Sequence, residues 1–186
     1  MIHGQSVLAV IPARGGSKRA PGKNIRFFRG KALIAWSIAA AKESMYIDHF
    51  VVSTEDPAIK WVAESYGAYV LDRPPALAAD DATNEDVLRH AAVSVPGRHD
   101  WIVLLQPTSP LRTASDIDAC IVIAWRAGDG CVSYRQRNGT KNGAVYVASR
   151  EWLFAYDFTT LLSGVYMMTD EQSADLDYPE EFELYE

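Results

Sequence analysis

The first thirty-one residues contain no aspartate or glutamate, although the chain as a whole carries a formal net charge of −6. Their seven cations, from Arg14 to Lys31, leave −13 for residues 32 to 186, so a basic segment is set into an acidic body. A nucleic acid lying across the surface would want basic side chains on several elements, and that spread is missing; a small anion bound at one place fits better. Cysteine is scarce as well. Cys120 and Cys131 fall in or beside apolar segments, with neither CxxC spacing nor a nearby histidine, which argues against a zinc site or a redox pair and leaves buried thiols. The four histidines, His3, His49, His90 and His99, are scattered and read as surface or capping groups. No apolar run approaches the roughly 20 residues that span a bilayer, and the N-terminus lacks the regions of a signal peptide. The expectation is a cytoplasmic protein with no membrane partner.

What is present is an ordinary globular composition, 48% hydrophobic and 23% charged over 186 residues, which suits one domain, 1–186. Apolar runs of strand length alternate with amphipathic runs of helix length. Strands are expected at 7–11, 50–53, 69–71, 101–105, 131–134 and 143–147, and helices at 32–43, 57–66, 84–95 and 113–126. Near-continuous β-branched runs separated by helices imply a mostly parallel sheet covered on both faces, a three-layer α/β/α fold of Rossmann-like type. Ligands of such sheets bind outside the carboxyl ends of the strands.

The segment Ile11–Asn24 follows the first strand and reads IPARGGSKRAPGKN. Glycines let backbone N–H groups approach phosphate oxygens, Arg14, Lys18, Arg19 and Lys23 supply charge, and Pro21 keeps the loop from coiling into helix. It is a candidate polyphosphate cradle, but of neither common kind. Gly15-Gly16-Ser17-Lys18-Arg19-Ala20 does not supply the dinucleotide G-x-G-x-x-G. Gly16 and Gly22 are six apart with Asn24 after the lysine, which breaks the P-loop spacing.

Ile11–Asn24, followed by Lys31–Ser37, resembles the signature of the acylneuraminate cytidylyltransferase family, the CMP-sialic acid synthetases and their pseudaminic and legionaminic acid relatives. The likeness continues through Val51–Asp56, Arg73-Pro74 with Leu77-Ala78, Leu104–Arg112, Asn142–Tyr146 and Asp175-Leu176-Asp177, and so covers most of the chain. It implies a fold of the nucleotide-diphospho-sugar transferase type. The activity it implies is transfer of CMP from CTP to the anomeric hydroxyl of a nine-carbon α-keto sugar acid, with release of pyrophosphate and with Mg2+.

Residue by residue, the resemblance implies that Arg14, Gly15, Gly16, Ser17, Lys18, Lys23 and Asn24 contact the nucleotide. Lys23 is the expected carrier of transition-state charge, with Arg14 and Asp177 as its catalytic companions. Arg19 and Arg26 read as solvated cations. Arg73 and Thr83 lie where the family contacts cytosine or ribose, although Thr83 serves equally well as a helix N-cap. Gln106, Arg112 and Asn142 fall at acceptor-binding positions, with Arg112 open to a structural role at the start of the next helix. Asp175 and Asp177 would hold the magnesium; in an extended segment both carboxylates point to one face. Glu180, Glu181, Glu183 and Glu186 read as the plain surface of a terminal helix.

The chain departs from the family between the fifth strand and Asn142. A long excursion that supplies dimer contacts and part of the sugar pocket is reduced to about 135–141, Arg135–Lys141. CTP and a sugar acid remain the expected partners, and the homodimer loses its usual support. A module of the same fold that binds the nucleotide but has lost or altered its acceptor stays open as the alternative.

Overall fold

The computed structural model describes residues 1–157 and 162–185. Its central strand, Val7–Pro12 (β1), is buried along its first five residues because Val, Leu, Ala, Val and Ile offer water nothing on either side. Successive side chains of a strand point to opposite faces, and here they feed two cores. Val7, Ala9 and Ile11 enter one, Leu8 and Val10 the other. Each of the Val, Leu and Ile side chains contributes roughly 1.5–3 kcal/mol when fully buried, and a polar group at Val10 would have no route to water.

After the basic loop come a small hairpin, Phe27–Phe28 (β2) with Lys31–Ala32 (β3), and the helix Leu33–Glu43 (α1). His49–Thr54 (β4), Pro57–Ser65 (α2) and Tyr69–Asp72 (β5) follow. Next are Asn84–Ser94 (α3), Trp101–Leu104 (β6) and Ala114–Ala127 (α4). Gly130–Arg135 (β7), Lys141–Ser149 (β8), Arg150–Ala155 (α5), Gly164–Met168 (β9) and Pro179–Tyr185 (α6) complete the described chain. Helix boundaries follow local chemistry. Thr83 with Asp86 and Thr113 with Asp116 form capping boxes for α3 and α4, Asp56 caps α2 ahead of Pro57, and Gly128 ends α4 in the left-handed conformation at φ 87°.

The main sheet has seven strands in the order β5-β4-β1-β6-β8-β7-β9. All run parallel except β8, which is antiparallel to both β6 and β7. Helices α1, α2 and α4 cover one face and α3 and α5 the other. The architecture is the expected three-layer α/β/α sandwich. A third, small core of Phe28, Leu33, Leu176 and Phe182 joins the hairpin to α6. Among the described residues no helix is long and apolar enough to cross a membrane.

Several local expectations need correction. Strand β9 and helix α5 were not anticipated: β9 reads Gly-Val-Tyr-Met-Met, with a single β-branched residue, and α5 is only six residues long. The strand expected at 143–147 is a nine-residue β8, closed against β7 by a tight turn in which Arg135 N–H donates to Thr140 O at 2.8 Å. His99 is not a surface group. It is 1% exposed, its Nδ1 lies 3.1 Å from Ser6 Oγ, and its ring meets His49 edge-on; burial and His49 both hold its pKa below the ordinary value. Cys120 and Cys131 are buried free thiols. Glu181 is not plain surface either, as its partners below show, and Glu186 lies outside the described residues.

Candidate active site

The carboxyl ends of β1, β5 and β6 open into a cleft of about 600 Å³. Its walls come from the loop after β1, from Arg73 just beyond β5, from 77–84 leading into α3, from Gln106–Thr108 after β6, and from Asp175 and Asp177. This is where the switch from strand to loop frees backbone and side chains from the sheet.

The basic loop holds its shape with few bonds of its own. Ala13 N–H donates to Ser53 O, Lys23 N–H to Ala20 O at 3.1 Å, and Asn24 Nδ2 donates to Arg14 O at 3.0 Å, stapling its two ends. Gly22, at φ 68°, supplies the left-handed residue that turns the chain into the short 3-10 turn carrying Lys23 and Asn24. Gly15 faces away from a ligand: its N–H goes to Glu55 at 2.8 Å, and the Asp56 carboxylate fills the space a Cβ would need.

Arg14, Ser17, Lys18, Lys23, Asn24, Arg73 and Thr83 all line the cleft, and Gly15 and Gly16 do not. The cations are held by carboxylates. Asp80 takes Arg14 Nη1 at 3.1 Å and also Lys18; Asp177 takes Lys23 Nζ at 2.5 Å and also Arg19. Arg73 is buried, donating to Ser53 O at 2.6 Å and Ser53 Oγ at 3.2 Å; burial lowers its pKa and Glu55 opposes the fall. Thr83 caps α3 while lining the cleft, so both readings of it hold geometrically.

The two aspartates differ. Burial pushes the Asp175 carboxyl up, and its buried Oδ1 has no hydrogen-bond partner. Burial acts on Asp177 in the same sense, but the ion pairs with Lys23 and Arg19 outweigh it and hold that carboxyl below the ordinary range. Among the described residues no three or more His, Cys, Asp or Glu side chains gather as a metal cluster. Two carboxylates, one with an orphaned oxygen, have the chemistry to accept a hard cation that would complete its shell with waters and phosphate oxygens.

Gln106 reaches the cleft beside this pair. Under it lies Gly143, at φ 76°, where a Cβ would come within 2.5 Å of Gln106 Oε1. Arg112 and Asn142 stand apart from the cleft. Arg112 is 4% exposed, donates to Ala144 O at 2.8 Å, Gln106 O at 3.1 Å and Ser37 Oγ, and burial drives its pKa down to about 9. It ties the strand ends together beneath Gln106. Asn142 donates to Ser173 Oγ at 2.9 Å and accepts from Ser133 Oγ at 2.6 Å. Sequence reasoning gave no role to Asp80, Thr108 or Gly143 and read Glu181 as plain surface. Of these Thr108 and Gly143 had a visible signal, their places in the family segments Leu104–Arg112 and Asn142–Tyr146.

Residues 8–128 match the sequence model of the cytidylyltransferase family. The chain belongs to that family. Cytidylyltransferase relatives include the N-acylneuraminate cytidylyltransferase of Escherichia coli O18:K1:H7, 32% identical over 96% of this chain and 51% of that protein. The CMP-N,N'-diacetyllegionaminic acid synthase of Legionella pneumophila is 42% identical over 68% of this chain and 56% of that protein. The pseudaminic acid cytidylyltransferase of Campylobacter jejuni is 41% identical over 56% and 47%. The chain thus spans about half the length of the curated cytidylyltransferases it matches. Among solved structures, a CMP:2-keto-3-deoxy-manno-octonic acid synthetase complexed with CTP superposes with a TM-score of 0.77 at 16% identity over 97% of this chain and 96% of that one. A cytidylyltransferase from Leptospira borgpetersenii gives 0.67 at 22% identity, over 85% of this chain and 66% of that one. At these identities the likeness speaks to the fold.

Proposed function

We propose that the chain transfers CMP from CTP to the anomeric hydroxyl of a sialic-acid-like α-keto sugar acid and releases pyrophosphate. The observation that carries this is the meeting, at one end of the cleft, of Lys23 with Asp177 at 2.5 Å beside the orphaned oxygen of Asp175. Attack at the α-phosphorus needs charge neutralisation on the triphosphate, an aligned hydroxyl and stabilisation of a trigonal bipyramid. Arg14 and Lys18 exchange the exposed Asp80 for triphosphate oxygens. Lys23, a compact ammonium on a turn that begins with a glycine, follows the α-phosphate as its charge grows. Arg73 and Thr83 face the nucleoside end, and Gln106 orients the acceptor from the other side. Asp175 and Asp177 fit magnesium, which would supply Lewis-acid charge to the phosphate oxygens when bound.

The test is pyrophosphate release from CTP with magnesium across a panel of sialic, pseudaminic and legionaminic acids. Turnover on at least one acid, lost in Asp177→Asn, is expected. CTP binding by calorimetry with no turnover on any of them would mark instead a nucleotide-binding module with a lost acceptor site. Absence of CTP binding would end both readings.

A further inference from the structure

Asp175, Leu176 and Asp177 belong to no helix or strand, yet the tripeptide is fixed at three points. Ahead of it, Ser173 receives Asn142 on its hydroxyl and Arg135 on its carbonyl, each at 2.9 Å. At its centre, Leu176 N–H donates to Thr108 O at 2.7 Å and the Leu176 side chain is fully buried with Phe28, Leu33 and Phe182. Behind it, one carboxylate oxygen of Glu181 accepts from both Asp177 N–H at 2.6 Å and Tyr178 N–H at 2.8 Å.

The last contact exceeds what a helix cap requires. A carboxylate three residues into a helix commonly returns to the N-cap N–H, here Tyr178. Its second bond reaches one residue further out, to the backbone of Asp177, whose side chain is at the same time engaged by Lys23. Phe182, the next residue after Glu181, is locked in the small core, so the carboxylate works from a fixed base.

We propose that Glu181 is a positioning residue that sets the aim of Asp177 toward the divalent cation, acting through its two backbone hydrogen bonds and not through its charge. This rests on the reading of Asp175 and Asp177 as the cation's carboxylates. Groups that orient a metal's ligands typically change metal affinity 10–100-fold when removed.

The experiment is calorimetric titration of the whole chain with CTP, with and without saturating magnesium; the quantity read is the factor by which magnesium tightens CTP binding. Glu181→Ala is expected to shrink that factor about tenfold and leave metal-free CTP affinity unchanged. Glu181→Gln, which keeps an acceptor oxygen and loses the charge, is expected to retain it within about threefold. A purely structural role would weaken CTP equally in both conditions and leave the factor intact, which overturns the proposal. Glu181→Gln falling as far as Glu181→Ala overturns it too, because charge would then be the cause. If Glu181→Ala fails a melting test for folding, Glu181→Asp replaces it: the shortened side chain keeps the charge and, like Asp86 and Asp116 at the same helix position, reaches the N-cap N–H but not the N–H of Asp177 one residue further out, so a drop is expected and a wild-type factor refutes. The Asp175→Asn, Asp177→Asn double variant serves as control. If it keeps the wild-type factor, the magnesium reading itself fails, whatever Glu181 does.

Discussion

The basic loop from Ala13 to Asn24 and the acidic segment from Ser173 to Tyr178 line one cleft, and apart from the short turn at Lys23 both lack regular structure, but they are held in different ways. The loop's cations are anchored at their tips, by Asp80 and Asp177, through ion pairs that an incoming phosphate can replace. The acidic segment is anchored through its backbone and through a buried leucine, by contacts that no ligand competes for. One side of the site is therefore built to exchange partners and the other to stay where it is. A phosphate-transfer site needs both: preorganised carboxylates for the cation, and charges that can follow a changing phosphate.

That contrast can be broken at three places. The largest effect is expected from Lys23→Ala, which removes the one loop cation that is almost out of water, its side chain 12% exposed. Pyrophosphate release in steady-state kinetics should fall by about 10²–10³-fold while the melting temperature stays close to that of the wild type. An intermediate effect is expected from Asp175→Asn on stability. The Asp175 pKa is raised by burial, so its carboxyl destabilises the fold once ionised: stability is highest below the ordinary value of 3.8 and is lost as pH rises through the raised one. Asp175→Asn should accordingly raise the metal-free melting temperature at neutral pH by a few degrees, the scale of about 1 kcal/mol in a chain of this size, with the gain vanishing in acid. A melting temperature that falls at neutral pH would show that Thr108 and Lys23, which favour the ionised carboxyl, outweigh its burial. The smallest effect is expected from Asp80→Ala. Exposed ion pairs are worth about 0–1 kcal/mol, so freeing Arg14 and Lys18 should tighten CTP binding by no more than about fivefold in calorimetry; weaker binding would mean that Asp80 orders the loop instead of competing with the ligand.

The same contrast explains what could be read from the chain before its fold. Val7–Ile11 and Trp101–Leu104 are so uniformly apolar that a central parallel strand is the natural reading, and the amphipathic run 113–126 reads as a helix, realised as Ala114–Ala127. Lys23, Arg73, Gln106, Asp175 and Asp177 were legible through the family's motifs, and the cleft brings them together. Glu181 and Asp80 were not, because their roles depend on partners set by topology: Asp80 meets Lys18 across 62 residues, and Glu181 is one of many glutamates until the backbone of Asp177 turns toward it. Arg112, for which a structural role stayed open, and Asn142 differ from these. Each sits inside a family motif, yet its hydrogen bonds hold the wall in place from behind.

The small core of Phe28, Leu33, Leu176 and Phe182 has a further consequence. It fastens the hairpin that follows the basic loop to the segment bearing the two aspartates, so that Lys23 and Asp177, 154 residues apart in the chain, ride on one block. The entropy of bringing such distant groups together is spent once, when the protein folds, and is not demanded again from each nucleotide that binds. Damage to that core, far from any phosphate, would surface as a ligand that binds loosely to a cleft whose every lining residue is intact.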